Sequence, residues 1–360
     1  MGLTSMSAKL NLLKQDFLHK EIIPGELVVA LAGNPNTGKS TVFNNLTGLR
    51  QHTGNWPGKT VVSARGRYTY RYKNFSLVDL PGTYSLLANS AEEEVARDFI
   101  CFSRPAVTVV VADATCLERN LSLVLQVLEI TPNVVVCVNL MDEAKQKGIH
   151  LDLTNLSTIL GVPVVGASAR AGQGISELKE AVYRVAEGLE QANQKQVSYS
   201  RMIETAASKL ELLLDSGLKE RINSRWLALR LLEGESGIDD LLRCADMEMD
   251  LHRQRAILDT LASERKKIGS GLQDEIVTSV VRQAEEIAAR VTRFENPQYD
   301  RLDRRIDRLV TSKIWGIPIM LALLGTVFWM TIAGANIPSE LLADAFMALE
   351  EQLTALFFMA

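Results

Sequence analysis

The sequence is poor in cysteine and histidine, and neither type falls at metal-ligand spacing. Cys101, Cys116, Cys137 and Cys244 include no C-x-x-C pair. Cys137 lies in a buried-strand run, so structural thiols in a reducing compartment are expected rather than disulfides or a thiolate metal site. His19, His52, His150 and His252 are scattered, and His52 reads as a solvated loop side chain. A strong charge of either sign is also missing. The formal net charge is −4, which gives no reason to expect nucleic acid as a partner. The first 25 residues carry Lys9, Lys14, Asp16, Lys20 and Glu21 with no uninterrupted apolar core, so an N-terminal extension and no signal peptide is expected. Met6 stands where N-myristoylation needs Ser or Thr.

What the sequence does contain is a phosphate loop. Gly33-Asn34-Pro35-Asn36-Thr37-Gly38-Lys39-Ser40 fits G-x-x-x-x-G-K-[ST], between the strand-like run 27–32 and a helix-like run 40–48 that begins Ser40-Thr41. Backbone N–H groups of such a loop and of the helix start can cradle nucleotide phosphates, with Lys39 reaching the β/γ oxygens and Ser40 on Mg²⁺. Asp79-Leu80-Pro81-Gly82 closes the apolar run 75–79, which puts a carboxylate where it can hold the Mg²⁺ shell and the Gly82 N–H where it can face a γ-phosphate. Asn139-Leu140-Met141-Asp142 follows the run 134–139. An aspartate there accepts from N1–H and the exocyclic amine of guanine, whereas adenine would leave it unpaired. Ser168-Ala169, followed by Arg170, is a further base-contacting loop. These four elements in this order resemble the G1, G3, G4 and G5 motifs of the translation-factor-related GTPases.

Thr83 follows Gly82, so the glutamine that orients water in Ras-like enzymes is missing and catalytic help must come from elsewhere. Asn36 occupies the loop position at which potassium-activated GTPases hold K⁺ beside the β/γ-phosphates. Between the loop and Asp79 lies the turn-rich stretch 51–61 with Trp56. Within it Gly58, Lys59, Thr60, Val61 and, just beyond, Val62 form a candidate switch, with Thr60 as its Mg²⁺ ligand. Lys39, Asn36, Thr60 and Gly82 are therefore the candidate catalytic residues, with Ser40, Thr60 and Asp79 for Mg²⁺ and Asn36 for K⁺.

Strand and helix patterns alternate over 26–190 and predict an α/β P-loop GTPase domain with a mainly parallel sheet. Leucines at helical spacing then predict a small all-α domain over 197–268, followed by an amphipathic helical linker over 272–313. Ile314 to Ser339 contains no charged residue, long enough to cross about 30 Å of hydrocarbon at about 1.5 Å per residue. Arg301, Arg304, Arg305, Arg308 and Lys313 precede it and hold that side in the cytosol. A transmembrane α-helix over 314–334 and an interfacial helix over 337–360 are expected, as at the start of a longer membrane protein.

The phosphate loop, the Gly54-Asn-Trp-Pro-Gly-Lys-Thr-Val61 loop, Asp79–Leu86, Asn139–Asp142, the insert with Leu231-Leu-Glu-Gly234 and the approach to Trp315-Gly-Ile-Pro318 together resemble the ferrous iron transport protein B family. The resemblance spans roughly Glu26 to Ala333. It implies a cytosolic GTPase domain at the inner membrane, GTP/GDP with Mg²⁺ and K⁺, a helical domain that affects GDP binding, and Fe²⁺ as the transported ion. It leaves room for a small cytosolic accessory protein and for a homo-oligomer. The competing reading is a membrane-anchored regulatory GTPase switch that moves no ion itself.

Overall fold

In a computed structural model of the chain, the described residues are 25–48, 51–55, 62–87, 90–190, 193–214, 222–234, 251–269, 271–295 and 315–358, with isolated positions between them. The N-terminal extension over 1–24, switch residues Trp56, Gly58, Lys59, Thr60 and Val61, and the basic residues Arg301, Arg304, Arg305, Arg308 and Lys313 lie outside them. The chain divides into two bodies, Met1–Arg293 and Phe294–Ala360.

The first body is built on β1 (Leu27–Gly33), α1 (Lys39–Thr47), β2 (Gln51–Asn55), β3 (Val62–Tyr70), β4 (Lys73–Asp79), α2 (Ala91–Asp98), β5 (Val107–Asp113), α3 (Leu117–Ile130), β6 (Val134–Asn139), α4 (Met141–Gln146), β7 (Ile149–Leu151), α5 (Leu153–Leu160), β8 (Val164–Gly166) and α6 (Ile175–Ala186). Its seven-stranded sheet has the order β2-β3-β4-β1-β5-β6-β8. Pairing is parallel from β4 through β8 and antiparallel for β2–β3 and β3–β4. The parallel strands are valine-rich because both faces are covered. Along β1 the side chains alternate between two cores: Ala30 and Ala32 face one and Val29 and Leu31 the other.

The stretch 51–61 is expected to be loop, yet its first half, Gln51–Asn55, is an edge strand with His52 opposite Arg65 and Asn55 opposite Val62. Turn-forming residues are tolerated there because an edge strand leaves one row of its backbone groups unpaired.

The helical part contains α7 (Arg201–Leu213), α8 (Ser224–Glu233), α9 (Leu251–Ile268) and α10 (Leu272–Val291), followed by the short strand β9 (Thr292–Phe294), which pairs with β7. Helix α10, expected to begin a linker, buries Leu272, Ile276, Val280, Ala284, Ile287, Ala288 and Val291. These residues belong to the same core cluster as α3 and one face of the sheet. Helix α3 consequently has apolar contacts on opposite sides and is buried almost along its whole length, as expected of a helix between two packed layers.

In the second body, α11 (Gly316–Phe358) is one helix of 43 residues. A separate span and interfacial helix are expected there, but Gly334 and Pro338 do not end the helix, since each weakens a helix without supplying a full set of turn residues. Among the described residues no helix is long and apolar enough to cross a membrane. The first half of α11 nevertheless leaves Ile317, Leu321, Leu323, Phe328 and Ile332 exposed. The expected transmembrane helix over 314–334 and interfacial helix over 337–360 both fall on this one continuous helix, whose first half is apolar and exposed.

Candidate nucleotide site

The site begins where β1 ends. A Cβ at Gly33 would lie 2.7 Å from the Val111 carbonyl oxygen, so the loop leaves the sheet through a position that only glycine fits. Asn36 (φ 65°) and Gly38 (φ 77°) both turn left-handed, curling residues 33–40 around a centre. Gly38 caps α1 with no side-chain hydrogen bond. Thr41 N–H already donates to the Gly38 carbonyl (3.0 Å), which leaves the N–H groups of Lys39 and Ser40 to face an anion, and the helix dipole favours negative charge there. Thr37 Oγ1 donates to the Asn34 carbonyl (3.0 Å) and stiffens the turn from inside. Asn34 is buried, and neither polar atom of its side chain has a hydrogen-bond partner. Asn36, Ser40 and Thr41 face outwards.

Lys39 Nζ donates to Asp79 Oδ1 and to the Leu80 carbonyl (2.6 Å). Burial raises the Asp79 carboxyl above its ordinary value, against the pull of Lys39. Asp79 is brought to this place by register, since it stands opposite Leu31 where β4 runs alongside β1. After it, the Leu80 N–H continues the ladder to the Leu31 carbonyl (2.9 Å), and the Thr83 N–H donates to the Gly33 carbonyl (3.3 Å). A Cβ on Gly82 would sit 3.5 Å from Pro35, so Pro81-Gly82 lies directly against the phosphate loop.

At the next strand ends, Asn139 ties two loops together. Its Nδ2 donates to the Thr37 carbonyl and its Oδ1 accepts from Ala169 N–H, each at 2.9 Å. Its amide also fills the space that a Cβ on Gly38 would need. Leu140 turns left-handed (φ 63°), and Met141 N–H donates to the Ala167 carbonyl (3.1 Å). Asp142 N–H donates to Ser168 Oγ (3.1 Å). The Asp142 side chain itself is exposed. Asn45 on α1 donates to the Ala169 carbonyl, a link absent from the sequence prediction because no motif spacing marks it.

The fold therefore gathers Gly33–Thr41, Asp79–Gly82, Asn139–Asp142 and Ser168–Ala169 at the C-terminal edge of one sheet. That is where open parallel sheets bind ligands. Of the predicted switch residues only Val62 is described, at the start of β3. Among the described thiols, burial pushes Cys137 up to about 12, while partial desolvation together with the Asp113 carboxylate pushes Cys116 up to about 11.

The family model described as ferrous iron transport protein B matches residues 27–182, and that of the FeoB cytosolic helical domain matches residues 199–293. The solved cytosolic domain of the T. maritima FeoB iron transporter, in its GDP form I, is 31% identical, with a TM-score of 0.61 over 74% of this chain and 98% of that one.

The chain belongs to the ferrous iron transport protein B family.

Among FeoB relatives, the Fe(2+) transporter FeoB of Shigella flexneri is 33% identical over 315 residues, 85% of this chain and 39% of that protein. A Porphyromonas gingivalis Fe(2+) transport protein A/Fe(2+) transporter FeoB fusion protein is 30% identical over 329 residues, 87% of this chain and 37% of its own length. The chain thus spans well under half the length of these FeoB relatives. The P-loop GTPase domain and the helical domain that follows it are the FeoB parts it carries.

Proposed function

We propose that this chain binds and hydrolyses GTP as the cytosolic part of a ferrous iron uptake protein in the cell membrane. The observation that carries the reading is the convergence of the uncapped α1 terminus, Asp79 and the Asn139–Asp142–Ser168 cluster on one sheet edge. Asp142, backed by Ser168, would accept the two guanine donors. Lys39, held in this structure by Asp79 and Leu80, would exchange those partners for the β/γ-phosphate oxygens. Gly82 N–H, beside Pro35, would face the γ-phosphate, and the switch backbone would position the attacking water in place of a glutamine.

The donor set fits Mg²⁺ and K⁺. Ser40 is exposed at the helix start and Asp79 lies against Lys39, giving hard oxygen donors for Mg²⁺ together with Thr60, while Asn36 faces outwards from its left-handed turn. When bound, the two cations supply positive charge beside the transferring phosphoryl. The exposed apolar first half of α11 supports membrane attachment through 314–334. The Porphyromonas fusion supports a small accessory protein as partner.

Guanine selection is tested by Asp142→Asn. Guanosine nucleotide affinity should fall by one to two orders of magnitude, roughly the loss of a charged hydrogen-bond pair. Xanthosine nucleotides, whose C2 carbonyl accepts from an amide, should bind the variant better than wild type. A variant that still prefers guanosine would sink the assignment of Asp142. Hydrolysis measured in KCl and in NaCl tests Asn36: faster turnover in KCl, lost in Asn36→Ala, is expected, and equal rates in both salts would remove the K⁺ role. Ferrous uptake into iron-starved cells by wild type, Lys39→Ala and Asp142→Asn joins the site to transport. Unchanged uptake at equal protein level would favour the regulatory switch.

A further inference from the structure

Helix α3 is packed on opposite sides by apolar groups, yet three polar side chains are buried in it: Asn120, Gln126 and Glu129. Asn120 is used locally, donating to the Cys116 carbonyl one turn back (2.9 Å). The other two each hold a different part of the chain. Gln126 Oε1 accepts from Leu86 N–H (2.7 Å) and from Ser85 Oγ (3.2 Å), and Ser85 Oγ in turn accepts from Leu87 N–H (3.1 Å). One amide oxygen thus pins residues 85–87, separated from Gly82 and Thr83 only by Tyr84. Glu129 Oε1 accepts from the Tyr199 hydroxyl (2.8 Å) and lies 3.4 Å from Arg225 Nη1. Arg225 also donates to the Val197 carbonyl and to Glu204, both at 2.7 Å, and its guanidinium sits 5.4 Å from the centre of the Tyr199 ring. Tyr199 and Arg225 belong to the helical domain, and Arg225 is in the first turn of α8.

We propose that Gln126 is a positioning residue for the switch that follows Gly82, and that α3 carries the nucleotide state from it through Glu129 to α8. The inference rests on the guanine-nucleotide reading of the site. A buried amide oxygen with two donors cannot lose both without being left unpaired and dry. When the segment after Gly82 rearranges around a γ-phosphate, Gln126 must therefore follow Leu86 or be abandoned. Glu129 lies one turn further along the same rigid helix. It is 4% exposed, so it cannot exchange Tyr199 and Arg225 for water. Displacement at residues 85–87 is thereby delivered to the start of α8.

A merely structural role predicts loss of stability without loss of communication, and the two are separable. Hydrogen exchange of the purified full chain is compared with GDP and with a non-hydrolysable GTP analogue. In wild type, protection should change between the two nucleotides both at 85–87 and in 224–233. Gln126→Leu should bind GDP within about two-fold of wild type while losing the change in 224–233, a coupling of about five-fold or more in a working switch. Gln126→Glu, which keeps an acceptor of the same reach, should restore it. Tyr199→Phe, at the other end of the path, should keep the change at 85–87 and lose it in 224–233, and it decides the matter if Gln126→Leu does not fold. A wild-type response at 224–233 that survives both variants overturns the proposal, as does its absence in wild type that binds both nucleotides. Failure of wild type to bind either nucleotide would overturn the guanine-nucleotide reading itself, and the inference with it.

Discussion

At the scale of the residue, the side chains that matter most here are buried polar ones that hold distant parts of the backbone. Asn139 is 1% exposed and serves the Thr37 carbonyl and the Ala169 N–H at once. Asn139→Ala should lower unfolding stability by about 2 kcal/mol or more, because it strands an acceptor and a donor away from water. Urea unfolding measures that, and a loss within the range of a surface substitution would mean that the two loops find other partners. Glu129 makes a second prediction. Burial holds its carboxyl above the ordinary 4.5, against the pull of Tyr199, Arg230 and Arg225. The folded state then takes up this proton more readily than the unfolded chain. The group's contribution is fully present below 4.5 and is lost as pH rises through the raised value. The stability difference between wild type and Glu129→Gln should therefore fall with rising pH from about 4.5 upwards. A difference that stays flat would mean that Glu129 titrates as it does in the unfolded chain.

At the scale of the element, local sequence and tertiary context compete. The hairpin between β3 and β4 turns at Arg71 (φ 46°) and Tyr72 (φ 62°), a left-handed pair for which Asn-Gly is the favoured chemistry. Arg71 is compensated by Glu180 at 2.9 Å and by the Tyr183 ring. Tyr72 is fully exposed, so Tyr72→Gly should stabilise the protein by about 1 kcal/mol. The urea midpoint should rise with the slope unchanged. Elements whose residues are buried on both faces, such as β5 and β6, were legible as apolar runs, interrupted in β5 only by Thr108 before its closing Asp113. Gln51–Asn55 was not, since its strand state depends on backbone pairing with β3 and on nothing in its own composition. Helix α3 was legible as a helix, but Gln126 and Glu129 carry no spacing that distinguishes them from solvated residues.

At the scale of the whole molecule, the first body joins sheet and helical domain through one core cluster that includes α3 and α10. Ile276 on α10 is 1% exposed, and Ile276→Ala should cost about 2–5 kcal/mol as a core truncation. Because that core is shared, the unfolding of the sheet and of the helices should shift together, which hydrogen exchange at 134–139 and at 272–291 would show. If only the helices shift, they form a separate unit. The same sharing explains why a domain limit at 268 was the natural reading of the leucine pattern. Periodicity reports that a helix has an apolar face, and it carries no information about which layer covers that face.

The order of the phosphate loop, Asp79–Gly82, Asn139–Asp142 and Ser168–Ala169 was determined by sequence alone, because each is a contiguous motif of fixed residue types at a strand end. The family resemblance needed further stretches beside them, the Gly54–Val61 loop, the insert with Leu231–Gly234 and the approach to Trp315–Pro318. Only the tertiary structure decided that Asn139 fastens the phosphate loop to Ala169, that Lys39 rests on Asp79, and that α3 links residues 85–87 to Tyr199 and Arg225. Those are contacts between positions 30 to 102 residues apart, and they arise from the parallel register and the shared core. Their energy depends on burial, which belongs to the folded chain and not to any segment of it.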